Sequence, residues 1–407
     1  MPGPSRIVCL DLDTFFVSVE RVLNPSLAGK PVIVGGRRGG PGVVTACSYE
    51  VRGLGVRSGM SLRDASRLAP DATYLRGRGG TYGEWSARVC AMAEDVAPVV
   101  NMASIDEMYM DLRGCEQLYA RPEDADGDAT ILRTVRELTA RIASELGLPA
   151  SAGIASSRSM AKVVCGVAKP AGVRLVAEGS EAAFLAPLPV RKLPGIGPVA
   201  ESKLAELRLR TLGEVAAAPV EVLRGALGAW AESVQSRARG LGSSHLGRDR
   251  PAFSEHDPEG EIVGSLSNER TFFEGLGDPA KVDAVLVGLC ERVCWRLRRR
   301  RIKTRRLSLK IRHRDFKTQH RSRVLPPTDS EREVIPAARS LLLAHRDPRQ
   351  RLRLLGVALS KLCFDDQLAL FEEDARVHAS VDAIRDRFGF EAVRRAAVIG
   401  GSRRGEG

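Results

Sequence analysis

The chain has 407 residues, 43% of them apolar, enough to build cores for roughly two to four domains. No stretch approaches the roughly 20 uninterrupted apolar residues of a membrane-spanning helix, and the opening "MPGPSRIV" lacks signal-peptide architecture, so a cytoplasmic protein with no membrane partner is expected. The 62 Lys and Arg against 50 Asp and Glu leave a charge of +12 that favours polyanionic partners, while eight scattered cysteines with no CxxC pair and only six histidines argue against a zinc site or a disulfide framework.

The first predicted element is a strand in "RIVCLDLDTFF", an apolar run that carries Asp11 and Asp13 and is followed by Phe15 and Phe16. Buried carboxylates are costly unless they are paired or bind metal. A second apolar run, "APVVNMASIDEMYMDL", brings Asp106 and Glu107. Asp11, Asp106 and Glu107 together would supply a cation site of the kind that holds two Mg²⁺ ions for phosphoryl transfer. Neighbours on a regular strand point to opposite faces, so Asp106 and Glu107 can share a site only where a hairpin turn or bulge falls. Taken singly, each acid is more often a surface charge at a strand end, and the signal lies in their combination.

Between these runs, "VVTACSYEVRGLGVRSGM" spaces Thr45, Tyr49 and Arg52 by four and three, which aligns them on one face if the local chain is helical, with Ser48 as N-cap and residues 53–55 as the stop. Lys162, in "SSRSMAKVVCG", falls on a helix capped by one of the serines. Arg, Tyr and Lys aimed at one place would hold a triphosphate, although Arg and Tyr on a helix more often just cover a surface. Further on, "KLPGIGPVAESKL" reads as a helix-hairpin-helix in which Gly195 and Gly197 let backbone N–H groups approach a DNA phosphate and Pro198 opens the next helix; an ordinary αα-turn is the alternative. The polar span after residue 243 reads as a linker. From Arg296 to Arg314 there are nine arginines, two lysines and no acid, and Leu307, Leu309 and Ile311 alternate with Arg306, Ser308, Lys310 and Arg312. A strand there would pack one face and offer the other to a nucleic-acid backbone.

In order along residues 6–362, "DLDTFFVSVE", "PVIVGG", "VVTACSYEVRGLGVRSGM", "SIDEMYMDL", "SAGIASSRSMAKVVCGVAKPAG", "KLPGIGPVAESKL" and "ERTF" give the chain a resemblance to the Y-family DNA polymerases, of the bacterial DNA polymerase IV type. The resemblance implies an α/β and α+β multidomain right hand. Its parts would be a palm at 1–20 and 75–168, fingers at 21–74, a helix-hairpin-helix thumb at 169–242, a linker at 243–261, a little finger at 262–362 and a tail at 363–407. It implies that Asp11, Asp106, Glu107 and the carbonyl of Leu12 hold two Mg²⁺ ions, with no metal role for Asp13. It also implies that Thr45, Tyr49, Arg52 and Lys162 meet the triphosphate and that Phe16 excludes a ribose 2′-hydroxyl. Phe15 is expected beside it at the nucleotide, with a place in the core as its other reading. Met108 and Cys47 depart from the family pattern and bear on the shape of the pocket. In the tail, "FDDQLALFEED" places Gln367, Leu368, Leu370 and Phe371 in a peptide that resembles the one many bacterial polymerases dock on the sliding clamp.

The expected function is therefore a template-directed translesion DNA polymerase, monomeric, of low fidelity and without proofreading. Its ligands would be primer-template DNA, deoxynucleoside triphosphates and the clamp. The rivals are a non-catalytic DNA- and clamp-binding scaffold of the same fold, which need not keep the three acids, and a helix-hairpin-helix repair nuclease or glycosylase, which leaves the nucleotide motifs unexplained. The stretch "SVDAIRDRFGFEAVRRAAVI" reads as one amphipathic helix without an assigned role.

Overall fold

A computed structural model of the chain describes residues 4–246, 264–364 and 373–399. They fall into two compact units divided after residue 253.

In the first unit a five-stranded sheet runs in the order Val99–Met102, Glu107–Asp111, Ile7–Leu12, Ala150–Ala155, Val173–Leu175. All neighbours are antiparallel except the last pair, which is parallel. The strand Ile7–Leu12 is central and buried along its whole length, which is why it reads as a continuous apolar run. Its side chains alternate between two cores. Val8, Leu10 and Leu12 join Met108 and Met110 against the helices Gly79–Glu94 and Gly127–Leu146. Ile7, Cys9 and Tyr109 face the other way, toward the helix Arg158–Ala168. That helix lies so close to the sheet that a Cβ on Gly153 would sit 2.1 Å from the backbone nitrogen of Cys165, so only glycine fits there. Because Val173–Leu175 pairs with Ala150–Ala155, the sheet runs past residue 168, where the thumb was expected to begin.

A smaller sheet, ordered Ala46–Cys47, Val32–Val34, Thr73–Leu75, sits over its own core of Ile33, Val44, Val51, Val56 and Leu62. The helical region that follows packs Leu193, Ile196, Leu204, Leu212 and Val234 into the core shared with Arg158–Ala168. Gly197 is the N-cap and Pro198 the first residue of the helix Pro198–Glu206, as the motif requires. Gly195 has φ 91°, and Trp230 packs on the face where a side chain would stand. The first residues of the expected linker are pinned to this unit: Asn101 Nδ2 donates to the carbonyl of Leu246, which is buried, and the Arg158 N–H donates to the carbonyl of Ser243.

The second unit is a four-stranded antiparallel sheet in the order Thr318–Thr328, Lys303–His313, Leu352–Cys363, Ser265–Leu276, with the helices Pro279–Arg299 and Glu331–His345 on one face. The arginine-rich run divides between two elements. Arg296, Arg298 and Arg299 lie in the last turn of Pro279–Arg299, where cations complement the carbonyl end of the helix. The strand follows, with Leu307, Leu309 and Ile311 fully buried and the alternate residues turned outward. The expected amphipathic helix is broken. One helix, Glu373–Phe388, stops before Gly389, whose φ is 90°, and a short second one, Ala396–Ile399, follows. The first is bound to Pro279–Arg299 by polar contacts rather than an apolar stripe: Arg298 to Asp382 at 2.6 Å, buried Arg385 to buried Glu291 at 3.2 Å, and Trp295 Nε1 to Asp386 at 3.2 Å.

Candidate active site

The alternation that sends Ile7 and Cys9 toward Arg158–Ala168 sends Asp11 the same way. The register sets Asp11 directly opposite Glu107 on the next strand. Like charges facing each other across a sheet repel, and this pair is held by cations from the covering helix and the loop after it. Lys162 Nζ donates to Asp11 Oδ2 at 3.0 Å and also to Glu107, and Lys169 Nζ binds Asp11 and lies 3.4 Å from Asp13 Oδ1. Burial alone would lower the pKa of both lysines. For Lys162 the Glu107 hydrogen bond and the Asp11 charge outweigh it, and for Lys169 the charge and hydrogen bond of Asp11 do, so both stay above the ordinary lysine value. Ser157 caps the helix that carries Lys162, its hydroxyl accepting from the Met160 N–H, as expected.

Asp106 and Glu107 lie at a hairpin turn, the geometry the sequence demanded: Glu107 opens a strand, while the N–H groups of Ala103 and Ser104 both donate to its carbonyl. The backbone of Asp106 is tied to the end of the central strand, its carbonyl accepting from the Leu12 N–H at 2.8 Å. The Asp106 carboxylate, however, accepts from the Ser104 hydroxyl. The structure thus brings Asp11 and Glu107 together and leaves the Asp106 side chain apart. Among the described residues no three Asp, Glu, His or Cys side chains are grouped to hold a metal ion.

After Asp13 the chain turns through Thr14, which has φ 47°, into the helix Phe15–Leu23. The two rings part company there. Phe15 is 3% exposed and its ring belongs to the core, the other reading the sequence left open. Phe16 is partly exposed and stacks on Tyr82, with centroids 4.2 Å apart and planes 13° apart. Tyr82 is fixed from below by its hydroxyl, which donates to buried Glu20 at 2.7 Å.

The expected single helical face of Thr45, Tyr49 and Arg52 is also corrected. The helix is only Tyr49–Gly53, and Thr45 precedes it in extended chain, its N–H donating to the Val34 carbonyl, because this stretch is recruited to the edge of the small sheet. Tyr49 and Arg52 do meet, with the guanidinium 4.9 Å from the ring centre. Ser48 stands at the N-cap position but its hydroxyl accepts instead from the Val32 N–H. Met108 and Cys47 are both fully buried, Met108 on the sheet face opposite Asp11 in the core that also holds Tyr82 and borders Phe16.

Two residues of this cluster have no role that the sequence alone assigns. Asp13, 1% exposed, accepts from Tyr49 at 3.0 Å, from Ser151 at 2.6 Å and from the Ala171 N–H at 2.8 Å. Burial and the facing Asp13 push the Tyr49 hydroxyl up to about 12. Lys169 is the second. The alternation of the first strand could have found Asp13, since it shares the parity of Cys9 and Asp11; nothing local marks Lys169, which reaches Asp11 across 158 positions of the chain.

The chain is similar to known proteins over most of its length. The impB/mucB/samB family model matches residues 10–166, the family's C-terminal domain 263–370 and the IMS family HHH motif 178–207. DNA polymerase IV of Dehalococcoides mccartyi is 37% identical over 394 residues, covering 95% of this chain and 96% of that one. DNA polymerase IV of Streptomyces coelicolor is 36% identical over 374 residues, covering 91% and 73%. A solved structure, the Y-family DNA polymerase chimera Dbh-Dpo4(243-245)-Dbh, shares the fold with a TM-score of 0.72 at 24% identity, covering 88% of this chain and 100% of that one. The class is that of DNA-directed DNA polymerases of the translesion kind. Within it the chain belongs to the impB/mucB/samB family of Y-family polymerases, of the DNA polymerase IV type. Enzymes of this family depend on metal. The facing carboxylate oxygens of Asp11 and Glu107 suit a hard cation, at a place where two ammonium groups already answer the same charge.

Proposed function

We propose that this chain adds deoxynucleotides to a primer 3′ end at the edge of its five-stranded sheet, with Asp11, Asp106, Glu107 and the Leu12 carbonyl holding two Mg²⁺ ions. The observation that carries this is the Asp11–Glu107 pair, opposed on neighbouring strands and balanced by the long, rotatable side chains of Lys162 and Lys169. When bound, the ions would activate the primer hydroxyl and neutralise the leaving pyrophosphate. The protein's part is binding and orientation. Arg52, stacked on the Tyr49 ring, would offer its guanidinium to the triphosphate, Tyr49 a hydroxyl that must first leave Asp13, and Thr45 a hydroxyl from the extended chain before them. Lys162, whose long side chain now spans Asp11 and Glu107, would be within reach of the phosphates. Phe16 presents its free face to the sugar.

The same reading takes the larger sheet and its helices as palm, the smaller sheet as fingers, the helical region as thumb and the second unit as little finger. Gly195 and Gly197, which border a groove of about 670 Å³ with Lys203 and Arg224, would approach DNA phosphates through their backbone N–H groups. Arg306, Lys310 and Arg312 would meet the backbone from the outer face of the second sheet. Gln367, Leu368, Leu370 and Phe371, which lie outside the described residues, would dock on a sliding clamp. The test is primer extension by Asp106→Ala. Synthesis is expected to vanish while DNA affinity stays within about twofold, and robust extension by this variant refutes the assignment.

A further inference from the structure

The outer face of the second unit's sheet carries one feature that charge does not explain. Lys310, Gly356 and Glu269 form a row across three strands, closed by a Lys310–Glu269 ion pair at 2.8 Å, and Arg312, Leu354 and Thr271 form the next. Beyond them along Ser265–Leu276, Phe272 turns inward to the core, so Phe273 continues the outer face and is 48% exposed. Phe316, in the turn between Lys303–His313 and Thr318–Thr328, is 66% exposed. Two large rings left in water on one sheet end are a cost that packing does not recover. Between them lies Arg353, its guanidinium 4.7 Å from the Phe273 ring centre and 5.7 Å from that of Phe316. Arg353 Nη1 is buried without a hydrogen-bond partner, so the two rings, not a carboxylate, hold this cation flat. Arg314 and Arg351 flank the same end, their side chains 3.1–3.2 Å from where a Cβ on Gly275 would be.

We propose that Phe273, Arg353 and Phe316 form a stacking site for an unpaired base of single-stranded DNA, with Arg314 and Arg351 reaching its phosphates. A base pair inside a duplex has both faces closed by its neighbours in the stack, whereas an unpaired base along a single strand offers a π-face to a ring. The aromatic–guanidinium layer therefore selects single strand over duplex, whereas the cationic rows of Lys310 and Arg312 do not discriminate. The site rests on the reading that this face meets DNA.

The test is fluorescence anisotropy of the full-length protein at one fixed salt concentration, with labelled oligo(dT), with a primer-template bearing a single-stranded overhang and with a blunt duplex. Phe316→Ala and Phe273→Ala are expected to weaken oligo(dT) and overhang binding about tenfold each and to leave the blunt duplex unchanged, while Phe316→Tyr, which keeps the ring, binds as the parent does. Unchanged oligo(dT) affinity in both alanine variants, or an equal loss on single strand and duplex, overturns the proposal. Neutralising Arg306, Lys310 and Arg312 tests the face itself: loss of duplex affinity there with no effect of the ring variants leaves the DNA-binding face standing and removes the stacking site alone.

Discussion

Adjacent phenylalanines with opposite fates make a sharp test of the site. Phe15 is enclosed in the core and Phe16 keeps one face free over Tyr82. Truncating Phe15 to alanine forfeits a fully buried ring, about 3–5 kcal/mol, which at about 2–4 °C per kcal/mol for a unit of this size lowers Tm by on the order of 10 °C. Truncating Phe16 loses a half-buried ring and one stacked pair, about 1–2 kcal/mol, or roughly 5 °C. If Phe16 stands beside the sugar as proposed, it excludes by clash rather than by attraction, so its removal should open the sugar site without weakening the grip on a deoxynucleotide. The assay is the ratio of insertion efficiencies for dCTP and CTP opposite template G, with Tm recorded for both variants. Phe16→Ala is expected to admit CTP far better while dCTP insertion falls only modestly, and Phe15→Ala to lose stability with its sugar preference intact. A Phe16→Ala protein as destabilised as Phe15→Ala, with unaltered sugar preference, refutes the reasoning.

Other consequences follow from the same structure. Gly153→Ala drives a Cβ into the backbone of Arg158–Ala168 and should cost at least ~3 kcal/mol, with a matching loss of polymerase activity as Lys162 moves off Asp11 and Glu107; a Tm within a degree of the parent would contradict the close packing. Neutralising Arg306, Lys310 and Arg312 together should flatten the salt dependence of DNA binding by up to ~0.9 logarithmic units for each phosphate no longer neutralised, and an unchanged slope would place that face away from DNA. Replacing Gln367, Leu370 and Phe371 with alanine should remove stimulation by the clamp and spare synthesis without it; equal stimulation of both proteins would reduce the tail motif to coincidence.

Much of this was legible in the chain because it depends on short-range periodicity. Alternation along "RIVCLDLD" and "EMYMD" fixes which side chains share a sheet face, so once Asp11 and Glu107 are opposed, their common environment follows from the pattern. Gly197 with Pro198, Ser157 before the helix of Lys162, and the apolar beat of Leu307, Leu309 and Ile311 are local signals of the same kind, and each forms the element it predicts. The tertiary structure decided what depends on partners far along the chain. Thr45 left its helix because a sheet edge claimed its backbone, Phe15 went to the core because the turn at Thr14 aimed it there, and Lys169 found Asp11 from the far side of the unit's sequence. Residue types name the acids and strand register opposes Asp11 to Glu107, but only the folded chain brings Lys162 and Lys169 to that pair and the Ser104 hydroxyl to Asp106, separations that no periodicity encodes.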